Sequence, residues 1–433
     1  MAKILADQFS SVFTRDDKDS AEIHLYGPSY PPIPDIVITE KGVDELLIGV
    51  DPKKAAGPDQ VPCHLLHELH AELTPVFTVL FRNSLNTSVL PEVWKSAWIT
   101  PIFKKGSRCT ASNYRPVSLT SVACKLLEHI LCSHIRNHLD RHGILCPNQH
   151  GFRKKLSCES QLIVTTHDLL RRLDLKEEVD MAILDFSKAF DVVPHQRLLG
   201  KLRLYGIEGN ALSWIRNFLE GRTQSVMVNG TRSHSRSRID GDSVVSGVPQ
   251  GTVMGPLLFL LYVNDLPSVL DPGTACRLFA DDCLIYRSIS SLHEKAILQK
   301  DLESLYSWGK TWGLKFNVPK CHMMHLSRSI TAPTRFYHLG GEVIKSVSEA
   351  QYLGVTLSNC YGTRTSQWKA HIVKTASSTN QRLGYLRRNL RGCPYRLREL
   401  AYITLVRSSL EYCGSVWDPT VQAEADTVEM VQH

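Results

Sequence analysis

Three aspartates stand where apolar runs end. Asp185 closes VDMAILD, residues 179–185, and Asp281 and Asp282 sit side by side between RLFA and CLIY. A carboxylate buried without counter-charge is costly, and a metal ion supplies that charge. Hard ions such as Mg²⁺ take carboxylate oxygens on rigid elements. Two of them a few ångströms apart can activate a hydroxyl and hold the leaving phosphates of an in-line phosphoryl transfer. Neighbours in a regular strand point to opposite faces, so Asp281 and Asp282 address one cleft only from a hairpin tip. The plainer readings are a turn for the Asp-Asp pair and a helix cap ahead of SKAFDVV for Asp185.

The elements that must carry these acids are legible around them. VDMAILDF reads as a buried central strand with a polar end, and CRLFADDCLIYR as two apolar strands meeting at the acids. A helical pattern from Ser291 to Gly313 and the strand CHMMHL follow. Strands and helices therefore interleave as βαββαβ. Between these parts TQSVMVNG is a strand ending in an Asn-Gly turn, and PLLFLLYVNDL is a buried helix. Upstream, AKILADQFSSVF is an amphipathic helix. Polar RDDKDS and proline-rich YGPSYPPIPD, which cannot continue a helix, make a linker. A helical region opens near Glu40 and turns at Gly57 and Pro58. WITPIFKKGS alternates like a hairpin strand, and CKLLEHILCSHIRNHL and ESQLIVTTHDLLRRL are amphipathic helices flanking the GFRKK turn. Downstream, YHLGGEVIK is a glycine-turned hairpin, YLGVTLS one more strand, and the chain beyond Thr363 is helical and basic.

At 433 residues the chain exceeds one compact core, which favours two or three lobes. No apolar run is long enough to cross a bilayer, so a soluble protein without a membrane partner is expected. Lys and Arg total 50 against 43 Asp and Glu, a mild excess that favours a polyanionic partner. The basic residues cluster at Lys104, Lys105 and Arg108, at Arg153 to Lys155, at Arg232 to Arg238 and at Arg387 to Arg396; solvated helix faces are the plainer reading of such clusters. None of the 12 cysteines forms a C-x-x-C pair and no cleavable signal opens the chain, which points to a reduced intracellular compartment, nuclear or cytoplasmic. CHLLHELH sets Cys63, His64, His67 and His70 at helical spacing without the order zinc sites use, and reads as structural.

The ordered motifs carry a family resemblance. LDFSKAFDVVPHQRLLGKL, SGVPQGTVMGPLLFLLYVNDLP, FADD, GLKFNVPKCH and YLGV resemble reverse-transcriptase motifs A to E, in that order. AAGPDQVP, ITPIFKKG, NYRPVSLTS and NQHGFRK before them resemble the finger-lobe motifs of LINE-type (non-LTR) retrotransposons of the jockey and chicken-repeat type. The resemblance implies an α+β right-hand polymerase fold with fingers, a ferredoxin-like βαββαβ palm and a helical thumb. Its divisions would be 1–39 leader and linker, 40–178 fingers, 179–358 palm and 359–433 a truncated thumb. It implies an RNA-directed DNA polymerase that takes an RNA template, a DNA primer and deoxynucleoside triphosphates, with two Mg²⁺ ions or Mn²⁺ in their place. Asp185 and Asp281 would be direct metal ligands, Asp282 the weaker third acid, and the Phe186 carbonyl an extra ligand. Phe190 would block a ribose 2′-hydroxyl. Arg115 would clamp the triphosphate, for which a bidentate guanidinium suits better than lysine, with Lys104 and Lys105 assisting. Gln250 would pack beside nucleotide and template, and Gly251 and Gly255 would allow close backbone approach. Lys320 would be an acid protonating pyrophosphate, YLGV the primer grip, and the arginines of the tail a track for the hybrid backbone.

Complete elements of this type usually also encode an endonuclease and often a Cys-His knuckle, and neither pattern is present. A fragment or decayed copy is therefore expected. The rival from another class is a catalytically inactive nucleic-acid-binding remnant, which loss of one acid would favour. An intron-encoded maturase-type enzyme shares FADD-like motifs, but the IFKKG and NYRPVSLTS sequence argues against it.

Overall fold

A computed structural model describes residues 1–14, 30–233, 242–328, 335–359, 368–419 and 421–432. The RDDKDS stretch and most of the Arg232 to Arg238 cluster lie outside these residues. In chain order the elements used below are helix α1 (Ala2–Ser10), strands β1 (Ser96–Phe103) and β2 (Tyr114–Leu119), and helices α2 (Val122–Arg141) and α3 (Cys158–Asp174). Strands β3 (Val179–Asp185) and β4 (Arg222–Val228), helix α4 (Met254–Val263), and strands β5 (Ala275–Phe279) and β6 (Asp282–Ser288) follow. Helix α5 (Leu292–Trp312), strands β7 (His322–Leu326), β8 (Glu349–Tyr352) and β9 (Val355–Ser358), and helix α6 (Lys369–Asn389) complete the set. Among the described residues no helix is long and apolar enough to cross a membrane.

The chain forms two compact units, each gathered from separate stretches. The first comprises Met1–Cys146, Ser187–Asp265 and Gly309–Lys315, and the second Pro147–Phe186, Leu266–Trp308 and Phe316–His433. These limits do not coincide with divisions at residues 39, 178 and 358, because pairing of distant strands rather than chain continuity gathers each unit.

In the first unit β1 lies between β2, antiparallel, and β4, parallel. Helix α1 places Leu5, Ala6 and Phe9 against Ala97, Ile99 and Val226 of this sheet. Spacing of three and four residues brings those side chains to one helical face. Helix α2 starts where the Ser121 hydroxyl accepts the Cys124 N–H at 3.3 Å, which satisfies one donor that the first turn leaves open.

In the second unit the sheet runs Lys345–Ser346, β7, β3, β6, β5, so the apolar β3 is central. Val179 and Met181 of β3, Leu284 and Tyr286 of β6, and Met324 and Leu326 of β7 pack with Leu162, Leu169 and Leu173 of α3. Each such buried side chain contributes about 1.5–3 kcal/mol. Helix α3 is held at its start by a capping box between Ser157 and Ser160. The alternate β3 residue Asp180 is fully buried. Tyr337 Oη at 2.6 Å, His325 Nδ1 at 2.9 Å and Arg335 at 3.1 Å bond its carboxylate.

One element differs from expectation. YLGVTLS is a hairpin rather than a single strand: β8 and β9 pair antiparallel and turn at Leu353-Gly354. Both turn residues have positive φ, 46° and 84°, as a tight two-residue turn demands. The run of apolar letters conceals the turn, because Leu supplies no turn signal.

Candidate active site

The acids come together through strand register. β3 and β6 pair antiparallel from Val179↔Ser288 to Asp185↔Asp282, so Asp185 stands directly across the ladder from Asp282. β5 and β6 pair up to Phe279↔Asp282, leaving Ala280 and Asp281 as a two-residue hairpin turn. Ala280 has φ +55°, a conformation that costs a residue with a Cβ roughly 1–2 kcal/mol. Strain of this kind persists only where surrounding structure over-determines it. Asp282 is exposed and Asp281 half-exposed.

The backbone on either side of Asp185 is fixed. Its carbonyl accepts the Asn317 N–H at 2.8 Å, and its own N–H points to Cys321 Sγ at 3.5 Å. The next residue, Phe186, stacks its ring on Phe316 at 4.4 Å and 26°. Lys320 follows Asn317 in a short turn and brings Nζ to 3.5 Å from Asp185 Oδ2.

The donor set fits a hard divalent cation in kind. Asp185 Oδ2 is buried and receives no hydrogen bond; beyond the Lys320 ammonium at 3.5 Å, its lone pairs could also serve a divalent cation. Asp282 stands on the facing strand and Asp281 in the adjoining turn. Asp185 and Asp282 are cross-strand partners; among the described residues no group of three His, Cys, Asp or Glu side chains is placed to hold a metal ion. At CHLLHELH, Cys63 Sγ points to the Ala55 carbonyl at 3.9 Å, His67 bonds the Ile48 carbonyl at 2.9 Å and His70 bonds Asp44 at 2.6 Å. Those groups serve separate structural partners.

Arg115, Phe190, Gln250 and Gly251 belong to the first unit. Arg115 is exposed on β2 opposite Ile102, and Lys104 and Lys105 are exposed just beyond β1. Phe190 stacks on Phe259 of α4 at 4.2 Å and 18°. Its carbonyl accepts the Val248 N–H at 2.7 Å, and Gln250 Nε2 donates to Asp191 Oδ1 at 2.9 Å. The SGVPQG loop is thus bonded to the Phe190–Asp191 segment. It also reaches β2, where the Ser118 N–H donates to the Gln250 carbonyl at 2.9 Å. Gly251 has φ +99°, and an added Cβ would lie 2.5 Å from Ser118 O; only glycine fits.

Sequence reasoning missed Glu128. It is fully buried on α2, and its Oε2 accepts the N–H groups of Val253 and Met254 at 2.8 and 2.9 Å. It therefore caps α4 and pins the end of the SGVPQG loop. Burial raises its carboxyl pKa, opposed by the Met254 and Val253 N–H groups and by Arg222. A Glu inside CKLLEHIL gives no local sign of a long-range cap. Gln149 was missed in the same way: it stands in NQHGFRK without an assigned role, and its side chain bonds both backbone polar groups of Ala280. In the second unit, a groove of about 500 Å³ runs along the YLGV hairpin and α6, lined by Lys374, Thr379, Arg382, Ser409 and Tyr412 among others. Arg387, Arg388, Arg391 and Arg396 are exposed.

Relatives share this sequence at length. The chain is 29% identical over 402 residues to a protein named "Probable RNA-directed DNA polymerase from transposon BS" of Drosophila melanogaster, covering 88% of this chain and 42% of that one. It is 29% identical over 346 residues to the RNA-directed DNA polymerase from mobile element jockey of the same organism, covering 78% and 37%. The jockey polymerase of Drosophila funebris is 26% identical over 367 residues, covering 83% and 39%. The chain thus spans about two-fifths of the length of these curated relatives. The model of the family described as reverse transcriptase (RNA-dependent DNA polymerase) matches residues 102–357. With acids paired across β3 and β6 and more than half its length matched, the chain belongs to the reverse transcriptase family.

Proposed function

We propose that this chain is an RNA-directed DNA polymerase that copies retrotransposon RNA into DNA by two-metal nucleotidyl transfer. The observation that carries the reading is the cross-strand pairing of Asp185 with Asp282, about a hundred residues apart in sequence, with Asp281 next to it in the turn. The strand order β7, β3, β6, β5 supports reading residues 179–358 as a palm. Residues 40–178 and 359–433 are then fingers and thumb, with 1–39 ahead of them.

Two Mg²⁺ ions, or Mn²⁺ in their place, would supply charge neutralisation at the attacking and leaving oxygens. Asp185, Asp281 and Asp282 would hold them, with the Phe186 carbonyl as a further oxygen donor. Lys320 keeps Asp185 charge-balanced and is assigned the proton delivered to pyrophosphate. Arg115 binds the triphosphate, Phe190 excludes the ribose 2′-hydroxyl, and Gln250 and Gly251 line the nucleotide and template. The basic groove beside YLGV and the exposed thumb arginines fit a sugar-phosphate backbone, so primer-template binding should weaken steeply with salt. Purified chain given poly-rA template, oligo-dT primer, dTTP and Mg²⁺ is expected to incorporate dTTP, and Asp281→Ala to stop it. Incorporation unchanged by that substitution removes the assignment; template binding without any incorporation selects the inactive remnant.

A further inference from the structure

The turn that carries Asp281 is gripped by a side chain from a distant segment. Gln149 is 2% exposed. Its Oε1 accepts the Ala280 N–H at 2.9 Å and the Gly151 N–H at 2.8 Å, and its Nε2 donates to the Ala280 carbonyl at 3.3 Å. One carboxamide therefore satisfies both backbone polar groups of Ala280, which a two-residue hairpin leaves without ladder partners. Ala280 is itself 8% exposed, so water is a poor substitute.

The grip is aimed by backbone pairing. The Leu278 N–H donates to the Asn148 carbonyl at 2.9 Å, and the His150 N–H to the Leu278 carbonyl at 3.0 Å. This parallel bridge places Gln149 beside Leu278, from where its side chain reaches past the end of β5 into the turn. Gly151 permits the approach: a Cβ there would lie 2.3 Å from Ala280 N.

We propose that Gln149 is a positioning residue for nucleotidyl transfer, which locks the two peptide planes flanking Ala280 and thereby fixes the Asp281 carboxylate relative to Asp185 and Asp282. The proposal rests on the polymerase reading above. Ala280 N belongs to the peptide entering the turn, and Ala280 O to the peptide that leads into Asp281. Holding both keeps the left-handed Ala280 from relaxing, and relaxation would swing Asp281 away. A misplacement of about 1 Å at a reacting centre costs about a hundredfold in rate.

Gln149→Met keeps length and apolar volume but loses all three hydrogen bonds, and Gly151→Ala places a Cβ against Ala280 N and Gln149 Oε1 and so displaces the same turn. Three measurements on the full chain test the proposal: amide hydrogen exchange at Ala280, Mn²⁺ binding by calorimetry, and steady-state extension of oligo-dT on poly-rA. Both variants are expected to exchange the Ala280 amide at least about tenfold faster and to bind Mn²⁺ several-fold more weakly. They should also lower kcat about a hundredfold with KM for dTTP within twofold, and raise the Mg²⁺ needed for half-maximal rate. A purely structural role predicts instead a kcat that falls with the folded fraction at an unchanged Mg²⁺ requirement, and that result overturns the proposal. So does Mn²⁺ binding within twofold of the unaltered chain, whatever the activity. If the unaltered chain extends no primer while Gln149→Met still weakens Mn²⁺ binding and frees Ala280, the positioning role stands and the polymerase reading falls.

Discussion

Asp185 and Asp282 oppose each other across the β3–β6 ladder, two acids where a sheet ordinarily places complementary partners. Like charges directly opposite destabilise a sheet. On the polymerase reading, a bound cation would relieve this repulsion further than Lys320 beside Asp185 does. Asp282→Asn is expected to raise the metal-free unfolding free energy by at most about 0.5 kcal/mol, the scale of exposed charge pairs, and to reduce the stabilisation that added Mn²⁺ provides. Urea unfolding with and without Mn²⁺ reads both; equal destabilisation in the two conditions would rule the idea out.

Phe190 stacks flat against Phe259, and on the polymerase reading its ring is the wall that meets the ribose 2′ position. Phe190→Val should admit ribonucleotides, lowering the preference for dTTP over UTP by roughly 10- to 200-fold, the range that small steric differences in a pocket command. Competitive incorporation measures the ratio, and unchanged discrimination retires the gate.

Glu128 offers a pH test of the cap on α4. Its folded-state carboxyl pKa is raised by burial above the unfolded value near 4.5. The folded protein thus holds this proton longer than the unfolded chain does, and the contribution is full below about 4.5 and lost as pH climbs through the raised value. Glu128→Gln retains an oxygen for Val253 and Met254 but cannot ionise. Denaturant midpoints from pH 4 to 8 should show the unaltered protein losing ground to the variant as pH rises. A constant offset would contradict this.

His371 should act in the opposite direction. Burial lowers its pKa to about 4, aided by Lys374, and its Nδ1 accepts the Thr356 N–H at 3.2 Å. The unfolded chain binds this proton first, so stability is complete above pH 6.5 and is lost as pH falls toward 4. His371→Gln should flatten that acid limb in a pH series of thermal unfolding; an unaltered limb would assign it elsewhere.

Much of this was legible in the sequence wherever a local pattern reports a local structure. The apolar run ending at Asp185 predicts a central strand, FADD between two apolar strands predicts a hairpin, and the three- and four-residue spacing of Leu5, Ala6 and Phe9 predicts the buried face of α1. The register that sets Asp185 opposite Asp282 rather than Asp281 was not legible, because it depends on pairing between segments about a hundred residues apart. Glu128 and Gln149 escaped for the same reason: their partners are backbone groups 125 to 131 residues away, and backbone groups have no letter in a sequence. YLGV misled because its turn pairs Gly354 with Leu353, whose side chain gives no hint of positive φ.

The central position of β3 has a consequence for biosynthesis. This strand leaves the ribosome with both edges open, since β6 is completed about 100 residues later and β7 about 140. At 5–20 residues per second that is roughly 5–30 s during which VDMAILD hangs as an apolar ribbon with nothing to zip onto. Chaperone capture of nascent chains should peak once this stretch clears the exit tunnel and fall after His322–Leu326 emerges.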